Sequence, residues 1–249
     1  MLKQARHDYI LAEVRIRNRV LLTDIATHLS VSEDTIRRDL KELDKLGQLR
    51  KVHGGAVAKS FYPFTYRKED IYDHPNKLVI AKKAAALIEP GQVVLITGGT
   101  TNLELATELP ETLTATFFTP SLQVATQLAQ HSHIEAILIG GKVSHEAQIA
   151  LGADAINTLS QIRADVCFLG TGHLDPSYGL SEFDWEVVQL KKAMIRAAKR
   201  IVSLTLSAKL NSSQRYQVCP IQSIHTLITE LAPDNELLLP YKKAGLEII

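Results

Sequence analysis

From Leu78 onward the chain is organised by six short apolar runs: VVLIT at 93–97, TATFFT at 114–119, EAILIG at 135–140, DVCFLG at 165–170, RIVSLTL at 200–206 and TLITE at 226–230. Stretches with apolar residues at helical spacing separate most of them, over 78–88, 102–108, 122–130 and 185–198. Runs this apolar have no solvent-facing side, and strands of that kind alternating with helices form a parallel sheet covered on both faces. The expectation for 78–249 is therefore an α/β, Rossmann-like domain. With 45% hydrophobic and 22% charged residues, the 249-residue chain can bury such a core and leave room for a second, smaller module.

That module is expected over residues 1–58, with 59–77 as an ordered linker that packs its aromatic residues. Ile10, Leu11 and Val14 mark a first helix beginning at Lys3. Thr23 is placed to cap a second helix over 24–29, and Ser30-Val31 forms a turn. Ser32 caps a third helix that runs to Leu46, where Gly47 supplies the left-handed terminator. Two helices joined by so short a turn are a helix-turn-helix. Segments 48–52 and 56–58 flank His53-Gly54-Gly55 and read as a hairpin wing. Together the two parts predict a multi-domain chain: a small winged helix-turn-helix, then the α/β domain.

The third helix shows what this module is for. Ile36, Leu40 and Leu43 share one stripe, which leaves Arg38, Lys41 and Lys45 on the opposite side, Arg37 on a flank and Thr35 near the N-terminus. A recognition helix enters the major groove with its N-terminal residues nearest the bases. Arg37 or Arg38 can grip a guanine through two hydrogen bonds, Lys41 can reach phosphate, and Arg50, Lys51 and His53 add donors on the wing. Gly54 and Gly55 would let that wing lie close to a nucleic-acid backbone. Residues 1–58 hold 11 lysines and arginines against 8 acidic residues, whereas the remainder is net negative. A plainer reading is a solvated helix face with Asp34 paired to Arg38.

Ser32, Thr35-Ile36-Arg37-Arg38-Asp39-Leu40 and Arg50-Lys51-Val52-His53-Gly54-Gly55 together resemble the helix-turn-helix signature of the DeoR family, over nearly all of residues 3–58. The resemblance implies a DNA-binding transcriptional regulator, usually a repressor in sugar or nucleoside metabolism, that acts on a double-stranded operator.

In the second domain, Thr97-Gly98-Gly99-Thr100-Thr101-Asn102 follows one strand and opens a helix. Glycines there let backbone N–H groups converge on an anion, and Thr100 and Thr101 add hydroxyl donors. Gly140-Gly141 and Gly170 end two further strands, and ligands of open α/β sheets bind at such ends. The segments also resemble the sensor domain of DeoR-type regulators, whose fold is similar to that of sugar-phosphate isomerases, over about residues 75–230. The resemblance implies a small phosphorylated metabolite as effector, bound near Gly98, Gly99, Thr100, Thr101, Asn102, Gly140, Gly141, Lys142, Gly170, Lys191 and Lys209, that loosens the grip on DNA.

Four positions depart from the family pattern. Thr97 and Leu206 stand where Asp is usual, Gly172 where Asp or Asn is common, and Ser144 where Arg is frequent, with Lys142 and His145 nearby. Three of these changes remove acceptors for sugar hydroxyls, which predicts an unusual ligand or weakened sensing. An isomerase-type enzyme with a DNA-binding appendage is the alternative, but it needs a carboxylate base and the acidic positions are partly lost. A helix-turn-helix that only contacts protein is a third reading. Glu182, Asp184 and Glu186 suggest either a polar site or an acidic helix start, Lys209 a phosphate contact or plain surface, and His131 and His133 a solvated loop.

No metal or cofactor motif is visible. The two cysteines, Cys167 and Cys219, suit a reducing cytosol, and no leader or membrane segment is apparent. A cytoplasmic homodimer or homotetramer is expected, because symmetric half-sites multiply the affinity of a short recognition helix.

Overall fold

The computed structural model describes residues 2–17, 19–58, 72–144 and 147–249, and the chain divides into two compact units, Met1–His74 and Pro75–Ile249. The expected linker lies largely outside the described residues, as does His145. Its last residues, however, are already helical.

In the first unit, α1 (Lys3–Arg17) leads into β1 (Arg19–Leu21), α2 (Leu22–Leu29), α3 (Glu33–Lys45), β2 (Arg50–Val52) and β3 (Gly55–Val57). The apolar stripes meet as expected. Ile10 and Val14 of α1, Ile25 and Ala26 of α2, and Ile36, Leu40 and Leu43 of α3 form one buried cluster with Leu49 and Ala56. The end of α3 is closed by Gly47 N–H to Asp44 O and Gln48 N–H to Leu43 O, with Gly47 at φ +64°.

Two features differ from expectation. The hairpin is a three-stranded sheet, ordered β1-β3-β2, because Arg19–Leu21 pairs antiparallel with β3. In consequence α2 starts at Leu22, and Thr23 is not its cap. The chain enters this helix straight from β1, and the Leu22 N–H, which has no partner inside the helix, donates to Gly54 O at 2.8 Å.

The second unit opens with α4 (His74–Ala85), which begins four residues before the expected helix. There follow β4 (Val93–Ile96), α5 (Thr100–Thr107), β5 (Ala115–Thr119), α6 (Leu122–Leu128), β6 (Ile134–Leu138), β7 (Lys142–Val143), β8 (Ala150–Leu151), α7 (Ala153–Ser160) and β9 (Ala164–Gly170). The chain continues through β10 (His173–Asp175), β11 (Gly179–Glu182), α8 (Trp185–Arg196), β12 (Ala198–Leu204), β13 (Tyr216–Cys219), β14 (Thr226–Ile228), α9 (Leu239–Lys243) and β15 (Glu247–Ile248). All six expected strands join one parallel sheet, ordered β15-β14-β12-β9-β4-β5-β6. Its seventh strand, β15, is only two residues long.

The order of strands places the site. From β4 the chain winds outward through β5 and β6, then returns to lay β9 on the other side of β4 and winds outward again. The reversal lies between β4 and β9, and the C-terminal ends of these two strands are where an open α/β sheet of this order takes its ligand. A separate antiparallel sheet, β10-β11-β13, and the β7-β8 hairpin accompany the main sheet. Both cysteines are free and buried, and burial pushes their thiols up, Cys219 to about 11. No helix among the described residues is long and apolar enough to cross a membrane.

Candidate functional site

The first candidate surface is the face of α3 opposite its buried stripe. Arg37, Arg38 and Lys41 are all exposed, as are Arg50, Lys51, His53 and Gly54 of the wing. Ser32 Oγ accepts from the Thr35 N–H at 3.3 Å and lies 2.9 Å from Thr35 Oγ1, so it holds the N-terminal turn of α3. The two arginines are not equivalent. Asp34 pairs with Arg37, not with Arg38, and Glu33 lies 3.9 Å from the same guanidinium. Arg38 and Lys41 have no ion pair among the described residues. Of the two arginines, only Arg37 is held in ion pairs among the described residues.

Asp39 fixes this face from behind. It is buried on the inner side of α3, where it accepts from Arg6 Nε at 2.7 Å and Arg6 Nη2 at 3.1 Å, with His7 Nε2 3.2 Å away. Burial pushes the Asp39 carboxyl up, but the hydrogen bonds and positive charge of Arg6, aided by His7, outweigh it and hold the group below the usual carboxylate range. A carboxylate whose pKa falls on folding stabilises the fold above its unfolded value, about 4, and loses that contribution as pH falls through the lower folded value. The first unit is therefore expected to lose stability in acid, and Asp39→Asn to flatten that dependence at a cost of about 2–4 kcal/mol at neutral pH. Thermal melts of both proteins between neutral and acidic pH would check this. Unchanged acid sensitivity in the variant would disprove the assignment.

The two wing glycines differ in what surrounds them. Gly54 occupies the turn at φ +77° with open space around it. Gly55 is buried, and a Cβ there would stand 1.9 Å from the Val20 carbonyl oxygen. The pairing of β3 with β1 requires its bare Cα.

The second candidate surface lies at the crevice between β4 and β9. Thr97 Oγ1 accepts from the Gly170 N–H and from Asn102 Nδ2, both at 2.7 Å, and so ties the loop after β4 to the loop after β9. Asn102 Nδ2 also donates to Gly98 O at 3.2 Å, while Asn102 Oδ1 is buried without a hydrogen-bond partner among the described residues. At Gly170 a Cβ would lie 2.8 Å from Gly98 O, so the two loops touch only because no side chain intervenes. Gly99 precedes α5 at φ +108°, and no side chain caps this helix. Its first-turn N–H groups are thus available to an anion, beside the buried Thr100 and Thr101.

The lysines expected here divide. Lys191 is buried, pairs with Glu182 and donates to Gly170 O at 2.7 Å, so it is neutralised and positions the β9 loop. Gly172 opens beside the same carboxylate; a Cβ there would be 3.4 Å from both Glu182 oxygens. Lys142 is exposed and 3.4 Å from Glu186, on the N-terminal turn of α8. Lys209 is buried rather than surface, at the end of the 3₁₀ turn Ser207–Lys209 that Glu230 holds through the Ser207 N–H. Gly140 is exposed with open space around it, and Gly141 lets β7 pass β8, where a Cβ would stand 2.7 Å from Leu151 O. Asp184 caps α8 through the N–H groups of Glu186 and Val187, so the acidic trio Glu182, Asp184 and Glu186 serves three separate ends. His131 is half-buried with Nε2 2.9 Å from Ala106 O, and only His133 is simply exposed.

Replacing Thr97 by valine keeps the shape but removes the acceptor of the Gly170 N–H and one of the two acceptors of Asn102 Nδ2, at a cost of about 1–3 kcal/mol. Thr97→Ser should restore most of it. Denaturant titration of the three proteins would test the tie, and a valine variant as stable as the wild type would refute it.

With both geometries in place, likeness to known proteins decides between regulator and enzyme. Residues 6–60 match the model of the DeoR-like helix-turn-helix domain, and residues 73–231 match that of the DeoR C terminal sensor domain. The chain belongs to the DeoR family of transcriptional regulators. It is 30% identical to the HTH-type transcriptional regulator GolR of Listeria innocua, over 93% of this chain and 92% of that protein. It is 29% identical to the HTH-type transcriptional repressor GlcR of Bacillus subtilis, over 100% of this chain and 96% of the relative. With the Glycerol-3-phosphate regulon repressor of Escherichia coli it shares 28% identity, over 94% and 93%. Among solved structures it is similar to ribose 5-phosphate isomerase A from Methanocaldococcus jannaschii, at 21% identity and TM-score 0.40 over 54% of this chain and 53% of that one. The isomerase alternative falls away, because near full-length relatives of this DeoR-family protein are named as regulators and none of these three as an enzyme.

Proposed function

We propose that this DeoR-family protein is a cytoplasmic repressor of a carbohydrate or related metabolic operon, released from its operator by a small phosphorylated metabolite. Residues 1–58 bind the duplex and residues 78–249 sense the effector. The observation that carries the reading is the outer face of α3. Arg38 and Lys41 stand exposed and unpaired among the described residues, on a helix fixed from behind by Asp39 and by Ile36, Leu40 and Leu43.

In this reading Thr35, Arg37 and Arg38 address base edges, and Lys41, Arg50, Lys51 and His53 address phosphates. Ser32 and Gly54 shape the helix start and the wing turn. The effector's anion sits before Gly99, Thr100 and Thr101, in the crevice between the β4 and β9 loops. The acceptors that would bind ring hydroxyls are reduced, since the Thr97 hydroxyl is already occupied by Gly170 and Asn102. The ligand is therefore not an ordinary hexose or pentose phosphate. Two or four copies bind a symmetric operator.

A mobility-shift assay on the region upstream of the protein's own gene, repeated with a panel of phosphorylated metabolites, tests the whole proposal. A shift reversed by one compound supports it and names the effector. Absence of any shift at low salt rejects the DNA reading, and micromolar binding of common sugar phosphates rejects the reading of the pocket.

A further inference from the structure

The parallel sheet has a second end. Arg163, Arg196 and Lys199 line one hollow of about 570 Å³ where β9 and β12 begin, beside the C-terminal ends of α7 and α8. Ala164 and Ala198 open those two strands and pair with each other. The hollow therefore lies a strand's length, about 20 Å, from the end at which the Thr97 and Gly170 loops meet. Its floor is apolar: Leu159 and Ala193 are buried, and Ile156 and Ile162 are half-buried.

The charge of this hollow is one-sided. Among the described residues no acidic side chain lines it. Asp165, next to Ala164, is committed to Lys199 at 2.9 Å and to the Val93 N–H at 3.0 Å. Lys199 is thereby neutralised. Arg163 and Arg196 are exposed and have neither an ion pair nor a hydrogen bond among the described residues.

Nor do the two arginines close the helices that border the hollow. The Ala197 N–H ends α8 on Ala193 O and Met194 O, and the Gln161 and Ile162 N–H groups end α7 on Thr158 O and Leu159 O. Cations of one sign around a low-dielectric floor, with no counter-charge of their own, raise the local concentration of anions.

We propose that this hollow binds a small amphiphilic anion, its carboxylate or phosphate head on Arg163 and Arg196 and its apolar body over Ile156, Leu159 and Ile162. Charge selects the head, because a guanidinium offers paired, planar N–H donors that match either anion. Size selects a small molecule, since the volume is that of an ordinary ligand pocket. A sugar phosphate does not suit it. The side chains of the floor are hydrocarbon and would strip water from ring hydroxyls without replacing it. The site thus differs in place and in chemistry from the one proposed for the effector, and it does not depend on that proposal.

Calorimetric titration of the full-length protein tests the site with octanoate and octyl phosphate. The uncharged 1-octanol supplies the body alone, and inorganic phosphate the head alone. At least one amphiphile should bind, roughly tenfold or more tightly than either half. Which of the two binds better tells a carboxylate ligand from a phosphate one. The double variant R163A/R196A should weaken that binding by a similar factor, and its fold should hold because both side chains are exposed. Ser160→Phe, in the lining of the hollow, keeps both arginines but fills the space and should also weaken binding.

Failure of both amphiphiles to bind overturns the proposal. So does equal binding of 1-octanol or of inorganic phosphate, since charge or floor would then select nothing. Wild-type affinity in either variant would put the ligand elsewhere and overturns it too. Light scattering on the same samples reads the other occupant. A fall in mass in ligand-free R163A/R196A would make the hollow a contact between copies of the chain, against the proposal.

Discussion

Replacing Arg38 by alanine is expected to reduce affinity for the specific operator by roughly ten- to a hundredfold, the range of one lost bidentate base contact. The side chain is exposed and has no ion pair among the described residues, so the fold should be untouched. Arg37→Ala should cost less. Its guanidinium is already paired with Asp34 and approached by Glu33, and part of any contact with DNA is offset by breaking those pairs. Anisotropy titrations on operator and scrambled duplexes at one fixed salt concentration separate the two roles. Arg38→Ala should lose its effect on the scrambled duplex, whereas a phosphate contact would weaken binding to both alike. If Arg37→Ala proves the more damaging for the operator alone, the assignment of the reading residue is reversed.

Gly55→Ala is expected to be the most damaging single methyl in the first unit, costing more than about 3 kcal/mol. The added carbon would sit 1.9 Å from Val20 O. Val20 cannot retreat easily, because β1 is paired with β3 and the Leu22 N–H is bonded to Gly54 O. The first unit should melt at lower temperature, and DNA affinity should fall with it. Gly54→Asn provides the contrast. That site has a positive φ but open space around it, a conformation asparagine adopts at a cost on the order of 1 kcal/mol or less. Calorimetry on both variants would check the difference, and equal melting temperatures would show that the wing does not depend on β1.

Asp39 shows where a reading of the sequence stops. As a letter in Thr35-Ile36-Arg37-Arg38-Asp39-Leu40 it resembles a charged surface residue flanked by others. Its place on the buried side of α3 follows from the helical period, but its partners Arg6 and His7 lie 33 and 32 positions away. Lys191 is the converse case. It is legible as a cation near the end of the sheet, but its pairing with Glu182 and its bond to the Gly170 carbonyl are not. The β10-β11-β13 sheet left little mark on the sequence, since its strands are three or four residues long and interrupted by polar turns. The two-residue β15 is too short for any periodicity at all.

What the amino-acid sequence determined alone was whatever depends on neighbours along the chain: the stripe of α3, the Ser32 cap, the Gly47 stop, the apolar strands and the glycine loop after β4. These arise from backbone geometry and side-chain period within a few residues. The tertiary structure alone decided which charges remain free, which glycines are needed for close approach, and that the loops of Thr97 and Gly170 meet, 73 residues apart. Those outcomes depend on which strands lie side by side and on what burial does to a charge or a methyl group between them, and neither is written in any local stretch of residues.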